Sequence, residues 1–455
     1  MLDMMRDTLA ASRADYTEVR LEERVATKVL FRGRELETAD MVIDRGGIVR
    51  ALCYHGGWGI ATFNSLENLA TRVEQAYQAA KAIQGENIEL APVPVAEGEI
   101  TVSLEQDFRT VPFGQKKELL QSYNELLVGY HDKIIDSSAF YQDSFTHVYY
   151  ANSEGSAFSE ERPLTTLYFR ATAREGNNVQ QGLEGISLPR GFEAVESQEQ
   201  LVHKAAQRAV GLLSAETVVG GRYPVVCNPR LAGVFIHEAF GHLSEADFVY
   251  ANPQAQQMMV LGRRFGGDIL TVVDDGSLPG GRGTHPYDDE GTPTRRTELI
   301  TDGILASRLH CRETAARMGE RPTGNARATS YRYPPIVRMT NTYIEPRDTP
   351  LEEMIADIEL GVYACDAFGG QTALENFSFS AAYAYMIRQG QIAEMVKDVI
   401  LSGNLFTTLA NIDAIGDDLT WLPSGTCGKG QGGLTVGIGA PHIRIQDVLI
   451  GGRNR

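Results

Sequence analysis

The sequence predicts an α+β protein: an N-terminal α/β domain over residues 1–218, with a possible subdivision near 90–100, then a β-rich C-terminal domain over 219–455. Three observations predict it. A chain of 455 residues, 43% apolar and 22% charged, is long enough for two or three domains that each bury a core. Strand-like and helix-like patterns alternate through the first half, as they do where helices layer onto a sheet. From Val219-Gly220-Gly221 onward the pattern changes to short strands with Gly-rich turns, and the 46 glycines fit a turn-rich β core.

Taken in order, Tyr16 to Arg24 alternates around Val19 and Leu21, and Val25 to Phe31 runs into a turn at Arg32-Gly33-Arg34. Met41-Val42-Ile43 and Ile48 to Tyr54 read as further short strands, with Gly46-Gly47 and Gly56-Gly57 as breaks. A helix is expected where Leu66, Leu69, Val73, Ala76, Tyr77 and Ala80 recur, with Ser65 as its N-cap. The Pro-containing stretch 90–98 reads as a linker. A helix near Phe113 to Tyr130 follows, then strands around 145–151 and 164–174 joined by a turn at 152–155, then a helix from Ser197 to Leu213. In the second half, Pro224 to Pro229 is strand-like and an apolar helix starts at about Leu231. Residues 276–293 hold five Gly and three Pro, a loop long enough to be a lid or binding loop. Phe377, Phe379, Tyr383 and Tyr385 alternate as a core strand would.

Forty-two basic against fifty-nine acidic residues leave a net charge of −17, which argues against a nucleic-acid partner. No run approaches the roughly 18 to 20 apolar residues that a membrane span needs, so no membrane is expected. The N-terminus carries acids where a secretion signal would be basic and then apolar, so the expected location is cytoplasmic. Cysteine usage agrees. Cys53, Cys227, Cys311, Cys365 and Cys427 are odd in number and scattered, which encodes neither a disulfide framework nor an all-Cys metal site.

The sharpest feature is Phe235-Ile236-His237-Glu238-Ala239-Phe240-Gly241-His242. It resembles the His-Glu-x-x-His zinc motif, in which two histidines share a helix face and the Glu is the base. Here the spacing is i, i+5, which on a regular helix turns the imidazoles about 140° apart. A one-residue π-bulge would bring them back together, and Gly241 would ease an irregular backbone there. The apolar flank of Leu231, Val234, Phe235 and Ile236 implies a buried helix, where a polar triplet needs a reason. A third ligand is available in Cys427, set among glycines in Thr426-Cys-Gly-Lys-Gly-Gln-Gly-Gly433, and two His plus one Cys is an accepted zinc set. By itself Cys427 is more readily a structural thiol. Glu245 and Asp247 are the local competitors for the third position. Glu245 would crowd all ligands onto one segment, so Glu245→Ala is expected to leave the metal in place.

His237-Glu-Ala-Phe-Gly-His242, followed by Leu-Ser-Glu-Ala-Asp247, resembles the TldD branch of the TldD/PmbA (TldE) family of zinc metalloproteases. The resemblance extends through Asp288-Asp-Glu-Gly-Thr-Pro-Thr, Pro322-Thr-Gly-Asn-Ala-Arg327, Arg338-Met-Thr-Asn-Thr-Tyr-Ile344, Lys397-Asp-Val-Ile-Leu-Ser-Gly-Asn404 and Thr426-Cys-Gly-Lys-Gly-Gln431. It covers roughly residues 220–452. It implies one Zn²⁺ per chain on the metal-binding helix of the C-terminal domain, with His237, His242 and Cys427 as ligands and Glu238 as catalytic base. It also implies a dimer, either with an identical chain or with a metal-free PmbA/TldE-like paralogue, whose cavity admits small or unfolded peptides. The other readings are a zinc hydrolase of a non-peptide amide or ester and a non-catalytic peptide-binding subunit. Asp288, Asp289 and Glu290 are candidate substrate contacts against a default of a solvated acidic loop. Arg327, Arg338 and Asn341 have the same standing, and His285 and His442 read as structural or exposed.

Overall fold

Residues 16–32 form one strand where two short ones were expected, because Val19, Leu21, Val29 and Phe31 keep one two-residue phase across the polar stretch Glu22-Glu23-Arg24. The computed structural model describes residues 1–85 and 87–453. After helix α1 (Leu2–Ala10), β1 (Tyr16–Arg32) turns at Gly33, whose φ of 55° suits a two-residue hairpin turn, into β2 (Glu35–Leu52). Gly46 and Gly47 do not break β2. They lie inside it because a Cβ on Gly46 would overlap the Tyr331 ring and one on Gly47 would overlap Leu21 and Phe63. Next come β3 (Trp58–Phe63) and α2 (Leu69–Ala82). The residue before α2 is Asn68 at φ 70°, while Ser65 accepts instead from the Glu67 amide at 3.2 Å, so the helix starts later than its apolar pattern suggests.

The presumed linker packs against the C-terminal half: the Ala91 amide donates to the Arg312 carbonyl at 3.1 Å and Ala96 is buried. It leads into β4 (Glu97–Ile100), α3 (Phe113–Gly129), β5 (Ile134–Asn152), β6 (Ala157–Glu175), β7 (Asn178–Leu188) and α4 (Glu199–Ser214). All seven strands form one sheet in the order β3-β2-β1-β5-β6-β4, with β7 also on β6. It is antiparallel apart from the β4–β6 pair.

The two faces of this sheet carry different chemistry. Along β1, Val19, Leu21, Val29 and Phe31 pack under the helices, whereas Glu18, Arg20 and Glu22 face the other way and are also buried. That second face is covered by the C-terminal half.

The C-terminal half has two main sheets. One is six-stranded and contains Val272–Asp275, Asn341–Ile344 and Gly437–Ala440. In the other, Leu360–Ala373, Gly221–Cys227, Ile443–Gly451, Ile400–Asn404 and Asn376–Arg388 pair in a ring that closes on itself. The aromatic alternation of Asn376–Arg388 places Phe377 and Phe379 in the core. Helix α5 (Pro229–Ile236) lies against both sheets, with Phe235 edge-on to Phe377 and Phe379 at 5.4 and 6.0 Å. It starts two residues earlier than the apolar pattern implied, because Asn228 accepts from the Leu231 amide and Pro229 takes the first helical position. Mixed sheets with helices segregated to one face make the protein α+β. Among the described residues, no helix is long and apolar enough to cross a membrane.

Candidate metal centre

Helix α5 is strongly apolar and buried, so its C-terminal end is held rigidly in the core. There the backbone widens. His237–Gly241 is a π-helical turn, and the His242 amide donates to the His237 carbonyl five residues back. The extra residue cancels the angular drift of i, i+5 spacing, and the imidazoles of His237 and His242 come within 5.3 Å, centroid to centroid. Gly241 serves this turn differently from the expectation. Its φ of −54° is ordinary helix, and a side chain is excluded because a Cβ would overlap the buried Met339 sulfur.

Cys427 arrives from a two-stranded ribbon, Thr426–Gly428 with Gly433–Thr435, in which Cys427 points inward while Thr426 and Gly428 are exposed. Its Sγ lies 3.4 Å from His242 Nε2. One ligand atom each from His237, His242 and Cys427 falls within 4.8 Å of the others. Glu238 stands beside them with Oε2 3.8 Å from His242 Nε2, and its side chain is 35% exposed.

Two properties make this trio fit a metal. His237 is 1% exposed and neither ring nitrogen has a hydrogen-bond partner among the described residues, a costly state for a buried polar group unless something else binds it. Burial, the His242 imidazole and the Arg338 guanidinium hold His237 well below its ordinary pKa, so it is a neutral donor. Burial would lower His242 as well, but Cys427 and Glu245 raise it to about 10, so the surroundings of this ring favour positive charge. Two imidazoles and one thiol suit a borderline-soft cation such as Zn²⁺. Burial pushes the Glu238 carboxyl up, an effect that His242 opposes and Glu245 reinforces.

Glu245 is not placed as a rival ligand. Its Oε2 accepts from His242 Nδ1 at 2.9 Å, on the side of the ring away from Cys427. Lys429, two residues beyond Cys427, reaches Glu245, Asp247 and the Val337 carbonyl. Arg338 is fully buried and donates to the Cys427 carbonyl, so it supports the ribbon from inside. The sequence reading missed Lys429, and it weighed Glu245 only as a rival ligand and Arg338 only as a candidate substrate contact, so their supporting positions are corrections. The i, i+3 spacing of His242 and Glu245 and the i, i+2 spacing of Cys427 and Lys429 were the available signals.

The acidic loop is not solvated. Asp288, Asp289 and Glu290 are 2–4% exposed. Asp288 accepts from the Glu290, Thr292 and Ala326 amides. Asp289 pairs with Arg20 at 2.8 Å and Arg162 at 3.1 Å, and Glu290 with Arg50 at 3.1 Å. The 276–293 loop is thus a packed joint between the halves. Its first part borders a cavity of about 830 Å³ between the N-terminal sheet and the outer face of the Cys427 ribbon. Arg327 donates to the Met339 and Thr435 carbonyls and Asn341 accepts from the Gly283 amide, so both brace loops. His285 contacts Glu160 at 2.7 Å and His442 contacts Asp418 at 2.5 Å, both as structural pairs. All five cysteines are free thiols.

Comparison with known proteins gives a consistent picture. The PmbA/TldA metallopeptidase C-terminal domain matches residues 220–452, the central domain 106–213 and domain 1 residues 17–80. A protein from Synechocystis described as a metalloprotease is 49% identical over 443 residues, covering 97% of this chain and 96% of its own. A zinc metalloprotease TldD homolog from Saccharolobus solfataricus is 29% identical over 96% of this chain and 97% of its own. The crystal structure of TldE from Thermococcus kodakarensis superposes with a TM-score of 0.76 at 17% identity, covering 99% of this chain and 98% of its own, and so shares the fold.

Proposed function

As the chain belongs to the TldD/PmbA family of metallopeptidases, we propose that it is a zinc-dependent peptidase acting on small or unfolded peptides, with His237, His242 and Cys427 as metal ligands and Glu238 as catalytic base. The observation that carries this reading is the convergence of the three ligand atoms within 4.8 Å around a histidine with no other partner, with a carboxylate alongside.

Zn²⁺ held by these residues would lower the pKa of a bound water and polarise a scissile carbonyl. Glu238 would take a proton from the attacking water and hand one to the departing amine, a reading supported by its carboxylate being more open to solvent than the three ligands. Glu245 accepts from His242 Nδ1, so Nε2, which faces Cys427, is the nitrogen that would give up its proton to a metal. Restriction to peptides is supported by confinement. His237 and Cys427 are each 1% exposed, and even the more open His242 and Glu238 side chains are only 24% and 35% exposed.

A thiolate ligand is oxidisable, so a reducing cytoplasm suits the site. The dimer, with an identical chain or a metal-free paralogue, belongs to the same proposal. It is tested by metal analysis of the purified protein and by offering it peptide mixtures beside non-peptide amides and esters. The proposal requires one zinc per chain and hydrolysis of peptides. Stoichiometric zinc with cleavage of esters or simple amides alone would overturn the peptide assignment, and absence of metal would overturn the whole reading.

A further inference from the structure

We propose that Lys429 is a positioning residue that clasps the Cys427 ribbon onto the His242 segment, so that the three-ligand site forms only when the Lys429–Glu245 ion pair is closed. This inference rests on the metal-centre reading above and goes beyond it.

The ribbon needs a clasp. Among the described residues it pairs with no other strand, and an isolated two-stranded hairpin is at best marginally stable in water. Its tip contains Gly430 and Gly432 at φ 65° and 89°, residues whose backbone freedom makes ordering costly. Yet Sγ of Cys427 sits 3.4 Å from a histidine 185 residues away. Arg338 donates to the Cys427 carbonyl, Arg327 to the Thr435 carbonyl, and the Gln431 side chain to the Pro334 carbonyl at 2.7 Å, which ties the ribbon to the 327–339 stretch, but none of these bonds reaches the His242 segment.

Lys429 is the charged side chain between Cys427 and Gly433, and it does reach their segment. Its ammonium lies 3.1 Å from Glu245 Oε2, 2.7 Å from Asp247 Oδ1 and 2.9 Å from the Val337 carbonyl, so all three of its protons have acceptors. The Glu245 oxygen is shared: it is also 2.9 Å from His242 Nδ1. One carboxylate, with its side chain 1% exposed, therefore links the orientation of one ligand to the location of another. Without Lys429 that carboxylate would be buried with less counter-charge, and the ribbon would lose its tie to the ligand it must meet. Outer partners of this kind typically change metal affinity about 10- to 100-fold.

The test replaces zinc with cobalt(II) in the full-length protein. Cobalt reports thiolate ligation through a sulfur-to-metal charge-transfer band and overall coordination through its ligand-field bands. Affinity is read by competition with a chelator. Lys429→Met keeps the stem and removes the charge, and Lys429→Arg restores the charge. The expected result for Lys429→Met is cobalt binding weakened about 10- to 100-fold, with the charge-transfer band reduced more than the ligand-field bands, and substantial recovery in Lys429→Arg. Should Lys429→Met fail to unfold cooperatively, Asp247→Asn, which loosens the same ammonium, carries the test and is expected to show a smaller loss of the same kind. Wild-type affinity with an undiminished thiolate band in the folded variant would overturn the clasp. A wild-type protein that binds no cobalt would instead overturn the metal-centre reading, so the two failures are distinct.

Discussion

In the proposed mechanism Glu238 and Cys427 serve one reaction by separable means, and substitution should separate them. Glu238 is the proposed base and is not one of the converging donors, so Glu238→Gln should keep its zinc and lose hydrolysis by about 10²- to 10⁴-fold. Full activity in that variant would remove it from the mechanism. Cys427→Ala removes a donor and should lose most bound zinc together with all hydrolysis. Glu245→Ala should still fill with zinc at saturating metal, because its oxygen holds the far side of the His242 ring, but it should release the metal to a chelator more readily. Metal content of both variants at equal folded fraction checks the pair. If Cys427→Ala retains zinc and Glu245→Ala cannot be filled, the ligand assignment is wrong.

At the level of elements, the centre depends on a widened turn at the end of a short helix, and Gly241 is its most exposed point of failure. A methyl group there would press on Met339, which is fully buried and has no room to retreat. Overpacking of this kind costs about 1–3 kcal/mol, so Gly241→Ala should lower stability to chemical denaturant by that amount. The same push would act on the turn that aligns His237 with His242, so weaker zinc retention should accompany the loss. A Gly241→Ala protein with unchanged stability and zinc content would show that the turn tolerates a side chain. The i, i+5 spacing by itself implied that the turn must widen if the histidines share a metal. Why a glycine stands there was not legible, because Met339 belongs to a segment far along the chain.

Across the whole molecule, the two halves are joined by buried charge. The second face of the N-terminal sheet presents Glu18, Arg20, Arg50, Glu160 and Arg162 to the loop bearing Asp289 and Glu290. Removing one partner strands the others, so Asp289→Ala, which leaves Arg20 and Arg162 short of a counter-charge, should cost about 3–5 kcal/mol in an unfolding titration. The same interface sets the acid limit. Burial alone would raise Glu160, but the Arg162 guanidinium and then His285 bring it down to about 2. A depressed carboxyl contributes stability that is present above its unfolded pKa of about 4.3 and lost as pH falls through the folded value. The thermal midpoint should therefore fall between about pH 4.3 and 2, with Glu160 contributing on the order of 3 kcal/mol. Glu160→Gln should flatten that part of the profile, and an unchanged profile would show that Glu160 is not the linked group.

What the sequence determined by itself was local: the strand character of 16–24 and 25–31, the apolar helix at 231–236, and a His-Glu-x-x-x-His spacing that demands an irregular turn if both histidines share a metal. Each is set by the period of a strand or helix, which is written in neighbouring residues. The tertiary structure decided the rest. Whether Asp288, Asp289 and Glu290 are solvated or buried depends on arginines from the other half of the chain. Whether Gly46-Gly47 breaks a strand or makes room inside one depends on Tyr331, Leu21 and Phe63. Whether Lys429 is a surface charge or a tie depends on where Glu245 and Asp247 come to rest. Such contacts join residues separated by tens to hundreds of positions, and no local period encodes which of them meet.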